Sequence, residues 1–432
     1  MKKHSDPYFT VDKAFKILLK NITVPKDTEL VPVFESLGRI LKDDINAQEN
    51  IPAYDSSHMD GFAIRSSDVT DASKENPIIL KLSSSESTLG LIPRHVLKKG
   101  EAYRIQTGGY MPLKSDAVIP IENTKIISND LIEIAEPIEK ASFVYSTGSD
   151  IKKGKKVLCK AQEIRVQHMG LLASLRISKV SVFRKPLVSI IPTGNELTDN
   201  IEESQENKEN KVNKVVNTNG PIISSLVSVL GGISIDMGIT PDNVGILKRK
   251  ISHAAKTSDL IITIGGTSAG KQDIVKSTID SMITSKIIAH KIKLDRGRVT
   301  GIGVVNKKPI IIMPGPIQGS LNAFFVFAKP LISLFSGQTA ISVFTISAIM
   351  VEDWACRKKF YDFRKIVYVH LAKIRDKFYA RPITGETQSI SLIINTNAYV
   401  TVPETVTNLF KGDVVQVNIM PGYSYVNDIQ FT

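Results

Sequence analysis

Three apolar runs in this chain end in sequences that could do chemistry. PLVSII, Pro186 to Ile191, passes into Pro192-Thr193-Gly194-Asn195-Glu196-Leu197. DLIITIGG, Asp259 to Gly266, passes into Thr267-Ser268-Ala269-Gly270-Lys271-Gln272-Asp273, and Lys308 to Met313 ends in Pro314-Gly315-Pro316. Glycines at such turns (Gly265 and Gly266 among them) let the backbone approach a phosphate closely. A helix starting after Gly270 would offer unpaired N–H groups to an anion. Thr267 and Ser268 add hydroxyl donors, and the carboxylates of Glu196 and Asp273 suit a hard divalent cation. Ordinary turn chemistry explains any one such loop, since Gly and Asn end many strands. Three at one sheet edge, two carrying acids, predict a polyanion site with a divalent metal.

A further acid stands in IPAYDSSHMDGFAIR, Ile51 to Arg65, where Asp60 sits between Met59 and Gly61 just as the chain turns apolar. It is either a turn residue that caps the backbone or a working group. Several other chemistries are excluded. The Gly265–Asp273 loop matches neither G-x-x-x-x-G-K-[ST] nor G-x-G-x-x-G, so it is not a Walker loop or a dinucleotide fingerprint. No H-E-x-x-H, G-x-S-x-G or Cys/His cluster occurs, and the seven histidines are dispersed. His58 and His290 lie beside the stretches above, but a lone histidine reads as structural.

The elements that must position these residues follow from periodicity. Val11, Ala14, Phe15, Leu18, Leu19 and Ile22 recur at helical spacing and predict a helix over 10–22. Short apolar runs broken by Gly, Pro, Ser and Asp then predict a β-rich region to about residue 141. A helix is expected over 166–175 and a strand over 178–183. From Pro186, strand and helix alternate: PIISSLVSVLGG carries Pro in its first turn and Gly-Gly at its end, and further helices are expected over 244–255 and 319–334. This predicts parallel crossovers and a three-layer α/β domain. Short strands return after Gln338. The expected fold class is therefore mixed α/β and β, with several domains. An N-terminal region, 1–185, comprises a linker (about 1–25 and 142–185) and a β-rich insert (about 26–141). An α/β domain covers 186–332 and a C-terminal β domain 333–432. Asn200 to Lys214 reads as a charged surface loop.

Composition bounds the rest. The 432 residues are too many for one ordinary core, and 42% hydrophobic with 23% charged residues is a globular mixture. The longest apolar run, Ala323 to Phe335, is interrupted by Lys329 and Pro330, so no membrane span or membrane partner is expected. The start shows no secretory h-region, and two cysteines, Cys159 and Cys356, form no C-x-x-C, which points to the cytoplasm. The net charge of +12 is scattered lysine without interleaved aromatics. It reads first as a solvated surface, next as attraction for a phosphate-bearing small molecule, and last as nucleic-acid binding, so no nucleic acid is expected.

Ser57-x-Met59-Asp60-Gly61-Phe62-Ala63 resembles the S-x-M-D-G-[YF]-A signature of the molybdopterin molybdenumtransferases, the family that includes the gephyrin E domain. Further matches follow in the same order: R-I-x-T-G at Arg104 to Gly108, D-A-V at Asp116 to Val118, T-G-x-E-L at Thr193 to Leu197, and G-G-x-S-x-G-x-x-D at Gly265 to Asp273. The resemblance spans essentially the whole chain. It implies a multidomain protein with a molybdopterin-binding α/β domain, a β-rich insert domain and a C-terminal β-barrel-like domain, assembled as a homodimer. The implied reaction cleaves adenylylated molybdopterin with Mg²⁺, releases AMP and places molybdate, or tungstate, on the dithiolene. Asp60 and Thr107 match acting residues contributed across the dimer to the partner's α/β site. Glu196, Asp242 and Asp273 match metal-binding acids. Gly265, Gly266, Thr267, Ser268, Gly270, Lys291, Pro314, Gly315 and Ser320 fall at the substrate-binding segments. A molybdopterin adenylyltransferase, which would supply the substrate, is an expected partner.

Two segments depart from the family pattern. Where many members have K-P-G-K-P, this chain has Asp295-Arg296-Gly297-Arg298-Val299, with Arg298 keeping the second cation and Lys291 and Lys293 just before it. Where many have P-G-N-P-V-S, it has Pro314-Gly315-Pro316-Ile317-Gln318-Gly319-Ser320, as in archaeal-type branches. Arg298 is expected to be the catalytic cation, oriented by Asp295. The alternative is a catalytically diverged paralogue that serves as a molybdopterin-binding or partner-binding scaffold.

Overall fold

The first helix, α1 (Val11–Asn21), shows the local rules plainly. Thr10 stays extended (φ −68°, ψ 151°) and its hydroxyl accepts the Lys13 N–H at 3.4 Å, which caps the helix. Val11, Ala14 and Leu18 are buried on one face. The computed structural model describes residues 8–202, 214–267, 273–338, 345–386 and 388–422. They fall into two units. One takes in residues up to 29, 38–42 and 182 onward; the other is 30–37 with 43–181.

The second unit is built on a six-stranded sheet: β1 (Gly61–Ile64), β2 (Ile78–Glu86), β3 (Glu101–Ile105), β4 (Ala117–Pro120), β5 (Lys125–Ser128) and β6 (Leu131–Ile134), in the order β4-β1-β3-β2-β6-β5. All neighbours are antiparallel except β2 and β3. Phe62, Ile64, Leu80, Ala102 and Ile132 form its core. Gly61 opens β1 because a Cβ there would stand 2.0 Å from the Ile119 carbonyl oxygen. The helix α2 (Val166–Ser174) belongs to the same unit.

In the first unit, β7 (Leu187–Thr193), β8 (Ile233–Asp236), β9 (Leu260–Gly265), β10 (Ser285–His290), β11 (Gly301–Val305) and β12 (Lys308–Met313) form one sheet in the order β8-β7-β9-β12-β11-β10. The four strands β8, β7, β9 and β12 are parallel, as the alternating pattern predicts. The edge is different: β11 runs antiparallel to β12, and β10 to β11. Helices α3 (Asn219–Val229), α4 (Val244–Thr257), α5 (Ile274–Asp280) and α6 (Ile317–Ala323) cover the sheet. Because side chains alternate along a strand, Val188, Ile190, Ile262, Ile264 and Ile311 pack with Ile223, Val227 and Leu321 on one face. On the other, Ile191, Ile261, Ile310 and Ile312 meet Leu247, Ile251, Val275 and Ile279. The result is three layers, and truncating one such residue to alanine costs about 2–5 kcal/mol.

The helix expected over 319–334 begins earlier and continues past its proline. After α6 it widens to π geometry over Phe324–Ala328 and resumes over Lys329–Phe335. Pro330 has no N–H to give the preceding turn, which accounts for the widening. The 19 residues Ile317–Phe335 are thus one helix long and apolar enough to cross a bilayer by length and composition, and Lys329 and Pro330 do not interrupt it. Leu321, Phe324, Phe327 and Leu331 are buried in the protein core, so it serves as a core helix.

Beyond it, β13 (Thr345–Met350), β14 (Lys365–Ile374), β15 (Lys377–Pro382), β16 (Ala398–Val402) and β17 (Val414–Ile419) close into a barrel, β13-β15-β14-β16-β17. Ala348, Val367, Val369, Val400 and Val417 fill it.

Candidate functional site

The parallel strands β7 and β9 end at a cleft of about 460 Å³ lined by Thr193, Glu196, Asn217, Asn219, Gly265 and Gly315, with Leu197, Val216, Ile264 and Ile317 as its apolar wall. This is the carboxyl edge of the sheet, where ligands bind in open α/β folds. Gly265 is left-handed (φ +86°), and a Cβ on it would lie 2.5 Å from the Thr193 carbonyl oxygen, so only glycine can leave this wall bare. Gly266 follows in the same conformation (φ +65°). Ser268 and Gly270 lie outside the described residues.

Two turns are cross-braced at the mouth. The Thr240 N–H donates to the Pro192 carbonyl (2.8 Å), the Gly194 N–H to the Thr240 carbonyl (3.0 Å), and the Asp242 N–H to Asn195 Oδ1 (3.0 Å). Glu196 and Asp242 are carried on these turns, both exposed. Asp273 is differently placed. One of its oxygens accepts the Lys276 N–H at 2.8 Å as the cap of α5, and the other meets His290 Nε2 at 2.8 Å. The three acids do not form a ready-made trio: among the described residues no three His, Cys, Asp or Glu side chains are grouped to hold a metal. Glu196 and Asp242, which enter no ion pair among the described residues, suit Mg²⁺, since that ion takes one or two carboxylates together with substrate phosphates.

Asn219, at the start of α3, was not singled out by sequence reasoning. Its Nδ2 donates to the Gly315 carbonyl at 2.6 Å, while its Oδ1 is buried with no hydrogen-bond partner. Thr267 Oγ1 is likewise buried and unpartnered. Native interiors pair such atoms, so the orphan on Asn219, which lines the cleft, is a group that a ligand would satisfy. The available signal was N-T-N-G, Asn217 to Gly220, ahead of Pro221 at the helix start.

Other expected substrate contacts fall elsewhere. Ser320 is fully buried and its hydroxyl donates to the Pro314 carbonyl, so it has no spare donor for the cleft. Lys291 is exposed with left-handed backbone (φ +70°), its carbonyl accepting the Phe9 N–H at 3.0 Å. Arg298 is exposed, and Asp295 does not orient it: Asp295 Oδ1 meets Arg357 Nη2 at 3.3 Å instead. Asp295, Arg296, Arg357 and Gln318 line a second cavity of about 180 Å³, where Arg296 Nη1 donates to Gln318 Oε1 at 2.7 Å and to the Gly385 carbonyl.

In the other unit, Asp60 and Thr107 are brought together. The Thr107 N–H and hydroxyl both donate to Asp60 Oδ1, at 2.7 and 2.9 Å. These two bonds, the backbone one foremost, favour the ionised form and hold the exposed carboxyl below its ordinary pKa.

Comparisons with known proteins agree with this architecture. Residues 9–175 match the profile of the MoeA N-terminal region (domain I and II), residues 189–333 that of the probable molybdopterin binding domain, and residues 351–420 that of the MoeA C-terminal region (domain IV). The molybdopterin molybdenumtransferase of Staphylococcus aureus is 31% identical over 327 residues, 75% of each chain. That of Staphylococcus epidermidis is 28% identical over 422 residues, 97% of each. The crystal structure of a molybdopterin biosynthesis MoeA protein from Pyrococcus horikosii superposes with a TM-score of 0.82 at 29% identity, covering 96% of this chain and all of that one.

Proposed function

Because the chain belongs to the molybdopterin molybdenumtransferase family, enzymes of molybdenum cofactor biosynthesis, we propose that it cleaves adenylylated molybdopterin, releases AMP and places molybdate or tungstate on the dithiolene. The observation that carries this reading is the cleft itself, which Glu196 lines together with the bare backbone of Gly265, while the turn carrying Asp242 is hydrogen-bonded to the turn that carries Glu196. The pterin's ring lies against the apolar wall, and one of its N–H groups satisfies Asn219 Oδ1. The phosphates approach Gly265 and Gly315, where no side chain intervenes. A Mg²⁺ ion held by Glu196 and Asp242 would neutralise phosphate charge at the link that breaks. Asp273 acts from behind, fixing α5 and His290. The oxyanion end falls to the second cavity, where Arg296 of the altered 294–299 segment and Arg357 supply cations and Asp295 balances them.

On this reading the α/β segment, about 186–332, binds the pterin, between a β-rich insert at about 26–141 and the C-terminal domain from 333. The protein works in the cytoplasm as a two-fold homodimer, receiving substrate from the adenylyltransferase, with Asp60 and Thr107 of one copy serving the cleft of the other. Light scattering at micromolar concentration tests the assembly, and a monomer removes that part of the proposal. The reaction is tested by incubating the protein with adenylylated molybdopterin, Mg²⁺ and each oxyanion. AMP release with cofactor formation is expected; binding of molybdopterin without AMP release would instead identify a scaffold.

A further inference from the structure

Three successive backbone carbonyls, those of Met237, Gly238 and Ile239, converge on one point. The ammonium of Lys250, midway along α4, occupies it at 2.7, 2.9 and 3.0 Å. The chain curls there because Gly238 is left-handed (φ +67°) and its N–H donates to Asp236 Oδ1 at 2.8 Å. Converging carbonyl dipoles repel one another unless a cation lies among them, and an ammonium brings three donors, one for each. Directly beyond Ile239 come the bonds that brace the cleft: Thr240 to Pro192, Gly194 to Thr240, and Asp242 to Asn195.

We propose that Lys250 is a positioning residue for the transferase reaction: by holding the 237–239 carbonyls it fixes the turn that presents Asp242 and braces the turn that presents Glu196. The proposal rests on the reading that these two acids work at the cleft. A second lysine shows what a merely structural version looks like. Lys365, 1% exposed, donates to the carbonyls of Tyr361 (2.9 Å), Pro403 (3.4 Å), Glu404 (3.3 Å) and Val406 (2.7 Å) beside the barrel. None of those bonds reaches the turns of Glu196 or Asp242.

The test uses the full chain with Lys250→Ala, Lys250→Arg and Lys365→Ala. Amide hydrogen exchange is read at Gly194, Thr240 and Asp242, and kcat and KM are read for AMP release, each with and without propylammonium chloride. Tetramethylammonium chloride, which has no N–H donor, controls for ionic strength. Lys250→Ala should exchange at the three amides at least about tenfold faster, the loss expected when a charged hydrogen-bond donor is removed. Its kcat should fall, and propylammonium alone should restore both. Lys365→Ala should lower global stability without selective exchange at the three amides. Parental exchange rates in Lys250→Ala, or no recovery with propylammonium, would overturn the proposal. Should Lys250→Ala fail to fold, Lys250→Arg decides. Its longer planar fork spreads its donors over three nitrogens and cannot put them at the single point that the ammonium occupies without moving the turn, so faster exchange is expected and parental rates count against the idea. If the unaltered protein releases no AMP, the proposed reaction fails while the exchange result still decides the role of Lys250.

Discussion

The two ends of the parallel strands in the α/β sheet treat their polar groups in opposite ways. At the amino end, Asp259 is 2% exposed, and Arg184 grips it with Nη1 and Nη2 at 2.7 and 2.8 Å. The Leu187 N–H donates to it at 2.9 Å and the Lys308 ammonium lies at 3.4 Å. At the carboxyl end, Glu196 and Asp242 are exposed, and Asn219 Oδ1, Thr240 Oγ1 and Thr267 Oγ1 are buried with no partner. A saturated carboxylate has no capacity left for a ligand, whereas an unsaturated edge does. On the proposed reading, this difference is why the chemistry belongs to the carboxyl end of the strands.

Breaking the saturated end should have the largest effect on stability. Arg184→Met leaves a buried carboxylate without its main partner, and urea denaturation should show a loss of about 3–5 kcal/mol. The cleft should be spared, so turnover per folded molecule should stay near that of the parent. The complementary change is Glu196→Gln. Unfolding free energy should move by no more than about 0.5 kcal/mol, while AMP release falls on the order of 100-fold, as for loss of an electrostatic catalytic group. If Glu196→Gln destabilised as much as Arg184→Met, the contrast between the two ends would be wrong.

Acid should separate the ends as well. Burial alone would raise the Asp259 pKa, but the hydrogen bonds from Arg184 and Leu187 and the charges of Arg184 and Lys308 outweigh it, leaving the carboxyl below its ordinary value. A group depressed in the folded state contributes stability that is complete above its unfolded pKa, and loses it as pH falls through the folded value. Unfolding free energy followed from pH 7 downward should therefore hold on this account until about pH 4 and decline below it. Asp259→Asn should remove that part of the decline; an unchanged acid limb would show that other carboxylates govern it.

What was legible in the sequence follows the same physics. Strands buried on both faces read as unbroken apolar runs, so β7, β9 and β12 stood out in PLVSII, LIITIG and KPIIIM. The strands β10 and β11 did not, because SKIIAH mixes charge with half-buried positions and GIGVV is short and glycine-interrupted. Their identity depends on antiparallel pairing with each other and with β12, which no local window contains. The site divides in the same manner. Glu196 could be found from its turn alone. No local window pairs Asp273 with His290, 17 residues on, or Asp295 with Arg357, 62 residues on. Residue types show which groups can act; only the fold shows which already have partners.

Asp60 lies between the two extremes, and the change expected there is the smallest. Its Oδ1 takes both the backbone N–H and the hydroxyl of Thr107, and its other oxygen accepts no hydrogen bond among the described residues. Thr107→Val keeps the backbone bond, which contributes most to the lowered pKa, and removes only the hydroxyl. Because both bonds favour the ionised carboxylate, losing one should raise the Asp60 pKa toward, but not to, its ordinary value. The side chain is exposed, so stability at neutral pH should hardly change. Carbon-13 titration of the Asp60 carboxyl in the two proteins reads the shift directly. An unchanged midpoint would mean that the hydroxyl does not hold the carboxylate in solution, and that the Asp60–Thr107 pair rests on its backbone bond alone.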